Sequence, residues 1–155
     1  MRHLRTIIFL VCIAATPAYS GWWKKDDNEG WCHRVVEYKY CLPTTFRLER
    51  VENASLKFVD RSDEFTSVFA EYLGNDMVDE VLAGWPPNEF VLGNEQNIHG
   101  LRIIRYTPNK ANNPVHHLMV VFVVFPDQSI MQIHGLESTQ TEAAVNALIV
   151  RIPIG

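Results

Sequence analysis

The chain has 155 residues, 47% of them hydrophobic, with 14 Lys and Arg against 18 Asp and Glu for a net charge of −4. That is one domain's length, with ample apolar content for a core. An acidic chain whose longest basic run is Lys24-Lys25 argues against nucleic acid and against anionic membrane surfaces as partners.

The chain opens MRHLRTIIFLVCIAATPAYS, which reads as a secretory signal peptide. Arg2 and Arg5 give a positive start, Thr6 to Ala15 are mostly apolar, and Ala18-Tyr19-Ser20 puts small residues where signal peptidase reads, with cleavage before Gly21. The apolar run is too short for a permanent span, which needs about 20 residues. A lipoprotein reading would anchor Cys12, but Val11 stands where a small residue is wanted and Cys12 lies inside the apolar run. Cleavage removes two basic residues and no acidic one, leaving 12 − 18 = −6. The expectation is a periplasmic or secreted protein with no stable membrane insertion of the mature chain. Its organisation is residues 1–20 as cleaved signal, 21–30 as flexible leader and 31–155 as a single domain. Trp22 and Trp23 of the leader have docking on the body, or on a partner, as their alternative.

In the stretch WCHRVVEYKYC, residues 31–41, Cys32 and Cys41 are the mature chain's cysteine pair. An oxidising compartment favours a disulfide between them. Eight intervening residues exclude a redox Cys-x-x-Cys. Zinc would need partners beyond His33. One continuous strand would hold the Cα atoms roughly 30 Å apart and one helix roughly 13 Å, whereas a disulfide needs about 7 Å or less. If the bond forms within the chain, residues 33–37 must turn or coil, although they contain no Gly or Pro; one unbroken strand or helix there would instead leave the cysteines free or paired between chains.

Thr44 to Val51 and Ser55 to Val59 alternate as half-buried strands, joined at Asn53-Ala54. Phe65, Val68, Phe69, Tyr72 and Leu73 then form one stripe of an amphipathic helix, with Ser62 as cap and Gly74 at its end. A shorter helix follows over Asp76 to Ala83 and stops at Gly84-Trp85-Pro86-Pro87. Leu101 to Tyr106 is a strand and residues 107–114 a loop. Val115 to Phe125 is apolar on both parities from Leu118 onward, which marks a central strand covered on both faces. Pro126-Asp127-Gln128 turns the chain into a strand over Ser129 to Gly135. Thr139-x-x-Glu142 is a capping box opening a helix with Ala144, Val145, Leu148 and Ile149 inward, and Arg151 to Ile154 is a short tail. The fold class expected is α+β, an antiparallel sheet of about five to six strands with helices packed on both faces.

The order of elements, the LPTTF run into a strand and the final STQTEAAVNALIVRIPI resemble the PsbP-like family of small α/β/α sandwiches. The resemblance covers most of residues 34–154 and rests on apolar patterns. It implies a binding or assembly module, and no functional residue carries over from it.

No catalytic constellation is legible. There is no G-x-S-x-G elbow, no Ser-x-x-Lys in a strand-to-helix setting and no H-E-x-x-H. Pairing the strands symmetrically about the 107–114 loop places His99 near Phe122 and His134 near Val120 or Val121, roughly 10 Å apart, with His116 and His117 at the other end. No three histidines converge, so no metal and no cofactor is expected. DDNEG fails as a calcium loop because Lys25 and Val36 occupy the first and twelfth ligand positions. The acids Asp60, Asp63, Glu64 and Asp76, Asp79, Glu80 sit at the expected helix starts, where the dipole favours them, and equally offer an acidic docking surface.

Two functions are compatible with these residues. One is a non-catalytic protein-binding domain, such as an immunity-type inhibitor that neutralises a toxin effector. It would bind through those acids, through Asn109, Lys110 and Asn112 of the loop, and through the Trp-rich leader. The other is a small-ligand carrier or small enzyme with a pocket lined by His99, His134, Tyr106 and Trp85.

Overall fold

The computed structural model describes residues 23–52, 55–63, 66–71, 78–85, 88–112, 118–136 and 139–155. The expected signal peptide therefore lies outside the described residues, as do Glu64, Asp76, His116 and His117. Among the described residues the strands are β1 (Trp23–Asp26), β2 (Gly30–Val35), β3 (Tyr38–Cys41), β4 (Phe46–Glu52), β5 (Ser55–Asp60) and β6 (Ser67–Glu71). Helix α1 (Val78–Ala83) precedes β7 (Phe90–Ile98), β8 (Leu101–Pro108), β9 (Leu118–Val124) and β10 (Ile130–Leu136). Helix α2 (Thr139–Ile149) and β11 (Ile152–Pro153) close the order.

These strands make two antiparallel sheets, a four-stranded one in the order β1-β2-β3-β11 and a seven-stranded one in the order β4-β5-β6-β10-β9-β8-β7. The fold is mostly β, which overturns the expected single sheet of five to six strands with helices on both faces. Three differences account for this. Residues 23–41, read as the end of a leader and a turn or coil over 33–37, supply three strands. Residues 90–98, which have no apolar alternation, form the longest strand. Ser67–Glu71, read as helix, is a strand between β5 and β10. Val68 and Ala70 face the main core while Phe69 faces His134 at 5.2 Å on the opposite side. A strand with apolar side chains on both faces mimics a helical stripe over a short window.

The main core lies between the sheets. Trp23, Val35 and Tyr40 of the small sheet, with Leu42 just beyond β3, meet Phe58, Val68, Val121, Val123 and Ile133 of the large one, with Ala144, Val145 and Leu148 of α2 alongside. A second cluster on the other face of the large sheet gathers Phe90, Ile104, Val120, Phe122, Val124 and Ile130 with Val78 of α1. β9 is thus covered on both faces, and Met119 to Val124 are all buried. Each helix covers only a patch. β8 holds both patches through its arginines: Arg102 Nη1 donates to Asp79 Oδ1 of α1 at 3.0 Å, and Arg105 Nε donates to Glu142 Oε1 of α2 at 3.1 Å. Glu142, expected as half of a capping box, is occupied by that contact.

Candidate functional site

Cys32 and Cys41 form a disulfide, with Cα atoms 4.1 Å apart. The geometry that makes this possible is a hairpin turning on Val36-Glu37, in which Cys32 stands directly opposite Cys41. The Leu42 N–H donates to Trp31 O, so by alternation the cysteines occupy the close, non-hydrogen-bonded position of the ladder. Val36 accommodates the turn at φ 53° and is 91% exposed, an unfavourable conformation for a β-branched residue. Glu29 lies close enough to both sulfurs to suggest three metal ligands, but sulfurs joined to each other supply no thiolate.

Sequence reasoning missed a buried polar cluster that links the two sheets. The Ser129 hydroxyl donates to Asp127 Oδ1 at 2.6 Å and lies 3.1 Å from His33 Nε2, which is 2.9 Å from Asp127 Oδ2. The composition invites a comparison with a Ser-His-Asp triad, yet the proton count rules that out. A serine has one proton, and here Asp127 receives it, so Nε2 must carry its own proton to satisfy Asp127 and Ser129 together. His33 therefore cannot take a proton from Ser129 at that nitrogen, and both carboxylate and hydroxyl meet the same ring atom instead of opposite ones. His33 and Ser129 are also 2% and 0% exposed. Trp23 stacks on the imidazole at 5.5 Å and Phe125 meets it edge-on at 5.0 Å. Burial raises the Asp127 pKa, but the hydrogen bonds from His33 and Ser129 outweigh it and hold the carboxyl below its usual range. The cluster locks the small sheet to the β9–β10 turn. It is a structural clasp, and its partners lie 94 and 96 residues apart in the chain, beyond the reach of any local motif.

Of the expected pocket residues, the fold brings three together. Trp85 has its ring 6.1 Å from Tyr106 and 6.3 Å from His134, and it packs edge-on against Phe122 at 5.1 Å. Burial pushes the His134 imidazole below its ordinary value. His99 lies elsewhere. It sits in the β7–β8 turn, where its Nδ1–H donates to Ile149 O at 3.1 Å. The expected register was wrong by several residues, because β8 pairs Arg102 with Val124 and Tyr106 with Val120. His134 does pair with Val120.

The expected partner-binding residues divide between two ends of the large sheet. Asp60 is 6% exposed and accepts from Ser62 N–H and hydroxyl, and Asp63 accepts from the Thr66 hydroxyl. Both serve the β5–β6 connection. Asp79, Glu80, Asn109, Lys110 and Asn112 lie beside β7 and β8: Asp79 holds Arg102, the Asn109 N–H donates to Glu89 O, and Asn112 Nδ2 donates to Asn88 O.

They flank the second feature that sequence reasoning missed, the edge strand β7. Its residues from Val91 to Asn97 are all exposed, and β8 is its sole strand partner among the described residues. The two-residue His99-Gly100 turn makes Ile98 and Leu101 the closing hydrogen-bonded pair. By alternation, the backbone N–H and C=O of Asn97 and Glu95 point away from β8. The opposite edge strand, β4, carries Arg47, Glu49 and Arg50, charges of the kind that deter strand addition. β7 contains Glu95 as its one charged residue, no Pro, and a bulge between Leu92 and Asn94. None of the helices among the described residues is long and apolar enough to cross a membrane. No protein-family model matches the chain, and no curated protein matches it.

Proposed function

We propose that this is a non-catalytic protein-binding domain of the periplasm or extracellular space, an inhibitor of the immunity type that neutralises a toxin effector. The observation that carries the reading is the edge strand β7, whose residues Val91 to Asn97 are exposed and whose sole strand partner among the described residues is β8. Such an edge accepts a strand from another chain, with main-chain hydrogen bonds supplying affinity and alternate side chains supplying specificity. The buried Ser129, with its proton committed to Asp127, supports a non-catalytic role. The carrier alternative rests on Trp85, Tyr106 and His134, but Phe90 and Phe122 pack onto the Trp85 ring at 5.4 and 5.1 Å and fill that space from within.

The reading is tested by affinity capture from an envelope extract at physiological salt, using the tagged chain and its Asn97→Pro variant. The proline removes an outward N–H while leaving the β8 ladder intact. One stoichiometric protein retained by the parent chain and lost from the variant is the expected outcome. Recovery of no protein by the parent chain overturns the reading.

A further inference from the structure

We infer that β7 receives an extended cationic segment of its partner, in which an apolar side chain and a lysine or arginine stand two positions apart. This rests on the binding reading above and adds the chemistry of what is bound.

The face of β7 that looks toward α1 sets the pattern. Leu92 pairs with Tyr106 and Glu95 with Ile104, and cross-strand pairs share a face. Tyr106 and Ile104 both belong to the cluster packed under α1. They are two residues apart on β8, because the bulge at Gly93 absorbs the extra residue of β7. A regular strand laid along the outer side therefore meets Leu92 and Glu95 with side chains about 7 Å apart, the spacing of positions i and i+2.

The two levels differ in chemistry. Leu92 is 58% exposed beside Phe90, whose ring is 5.4 Å from Trp85, and it offers an apolar shelf. At the other level Arg102 Nε donates to Glu95 Oε1 at 2.6 Å and its Nη1 to Asp79 Oδ1, with exposed Glu80 next on the helix. Two carboxylates, Glu95 and Asp79, pair with the one guanidinium there, a local charge of 1 − 2 = −1. Asp79 is 88% exposed despite its pairing, so its outer oxygen is open to a second cation. On the opposite face Arg105 is engaged by Glu142, Asn94 and Gln96, and its charge is directed inward. A second copy of this chain is the wrong occupant. β7 contains no Lys or Arg, and pairing it with itself would bring two acidic patches together.

The test is fluorescence anisotropy with the purified chain and two labelled nine-residue peptides of alternating Thr and Val. One peptide carries Leu and Lys two positions apart, and the other carries Glu in place of the Lys. The lysine peptide is expected to bind at least tenfold tighter, to weaken as salt rises, and to be lost in Asn97→Pro. Glu95→Lys, at an exposed position, should reverse the preference even if the proline variant fails to fold. Equal binding of the two peptides, binding of neither, or self-association of the chain with no peptide binding overturns the inference. A captured partner without peptide discrimination sinks this inference alone, and the absence of any captured partner sinks the binding reading itself.

Discussion

The β2–β3 and β7–β8 hairpins both turn on two residues, and both place the first of these at positive φ, Val36 at 53° and His99 at 51°. Their surroundings are opposite. In β7–β8 the second turn residue is Gly100 at φ 81°, which suits a two-residue hairpin, and β7 is held by its ladder with β8 and by exposed side-chain bonds from Arg102 and Arg105. In β2–β3 a β-branched valine occupies a position that glycine or asparagine would prefer, and the hairpin is then stapled by Cys32–Cys41 and clasped through His33. The lesson is that a hairpin with a sound turn needs no covalent staple and leaves its outer edge exposed. One with a poor turn needs covalent and buried contacts, and becomes part of the core.

The largest effect that separates the two comes from removing the staple. Replacing Cys32 and Cys41 by Ser should lower stability by about 2 to 3 kcal/mol in urea titrations, the value for a loop this short. Asn97→Pro in the free hairpin should cost less than about 1 kcal/mol, since its N–H is not part of the ladder. Equal losses would erase the distinction. Val36→Asn should act in the opposite sense, raising stability by about 1 kcal/mol, because asparagine tolerates the left-handed region without a branched Cβ. A loss in place of that gain would mean that the exposed valine has a role in packing.

The smallest effect expected is a pH dependence confined to the clasp. The folded Asp127 carboxyl titrates below its ordinary value of 3.8, so the folded state binds fewer protons there than the unfolded chain. Its contribution is complete above 3.8 and is lost as pH falls through the lower folded value. Amide exchange in acid should therefore quicken in β2 and β3 before β7 and β8, and Asp127→Asn should remove that difference in pH response. Uniform quickening across both hairpins would show that the clasp does not govern the small sheet.

What was legible in the sequence follows from how each element is buried. β4, β5, β8, β9, β10 and α2 have an apolar pattern that one covered face, two covered faces or a helical stripe explains, and all were anticipated at close to their observed positions. The disulfide was legible too, since a lone cysteine pair in an oxidising compartment favours pairing, and that bond demanded the turn between them that the hairpin supplies. β7 was not legible because a strand exposed on both faces carries no burial pattern, and its only local sign is the His99-Gly100 turn at its end. β6 failed for the opposite reason, since Val68 in the main core and Phe69 against His134 on the other face together imitate a helix. The clasp of His33, Asp127 and Ser129 is created by sheet packing, and no spacing along the chain announces it.

The short strand β11 has a consequence for how the molecule is made. Ile152 pairs with Lys39 and the Ile154 N–H reaches Glu37 O, so the edge of β3 is completed by residues translated more than a hundred positions later. Contacts so distant in sequence form slowly and leave their templates uncovered meanwhile. The cysteines are only nine apart, and their bond can close long before the tail arrives. The disulfide thus holds the β2–β3 ribbon in place for β11, and residues 152–154 complete its edge.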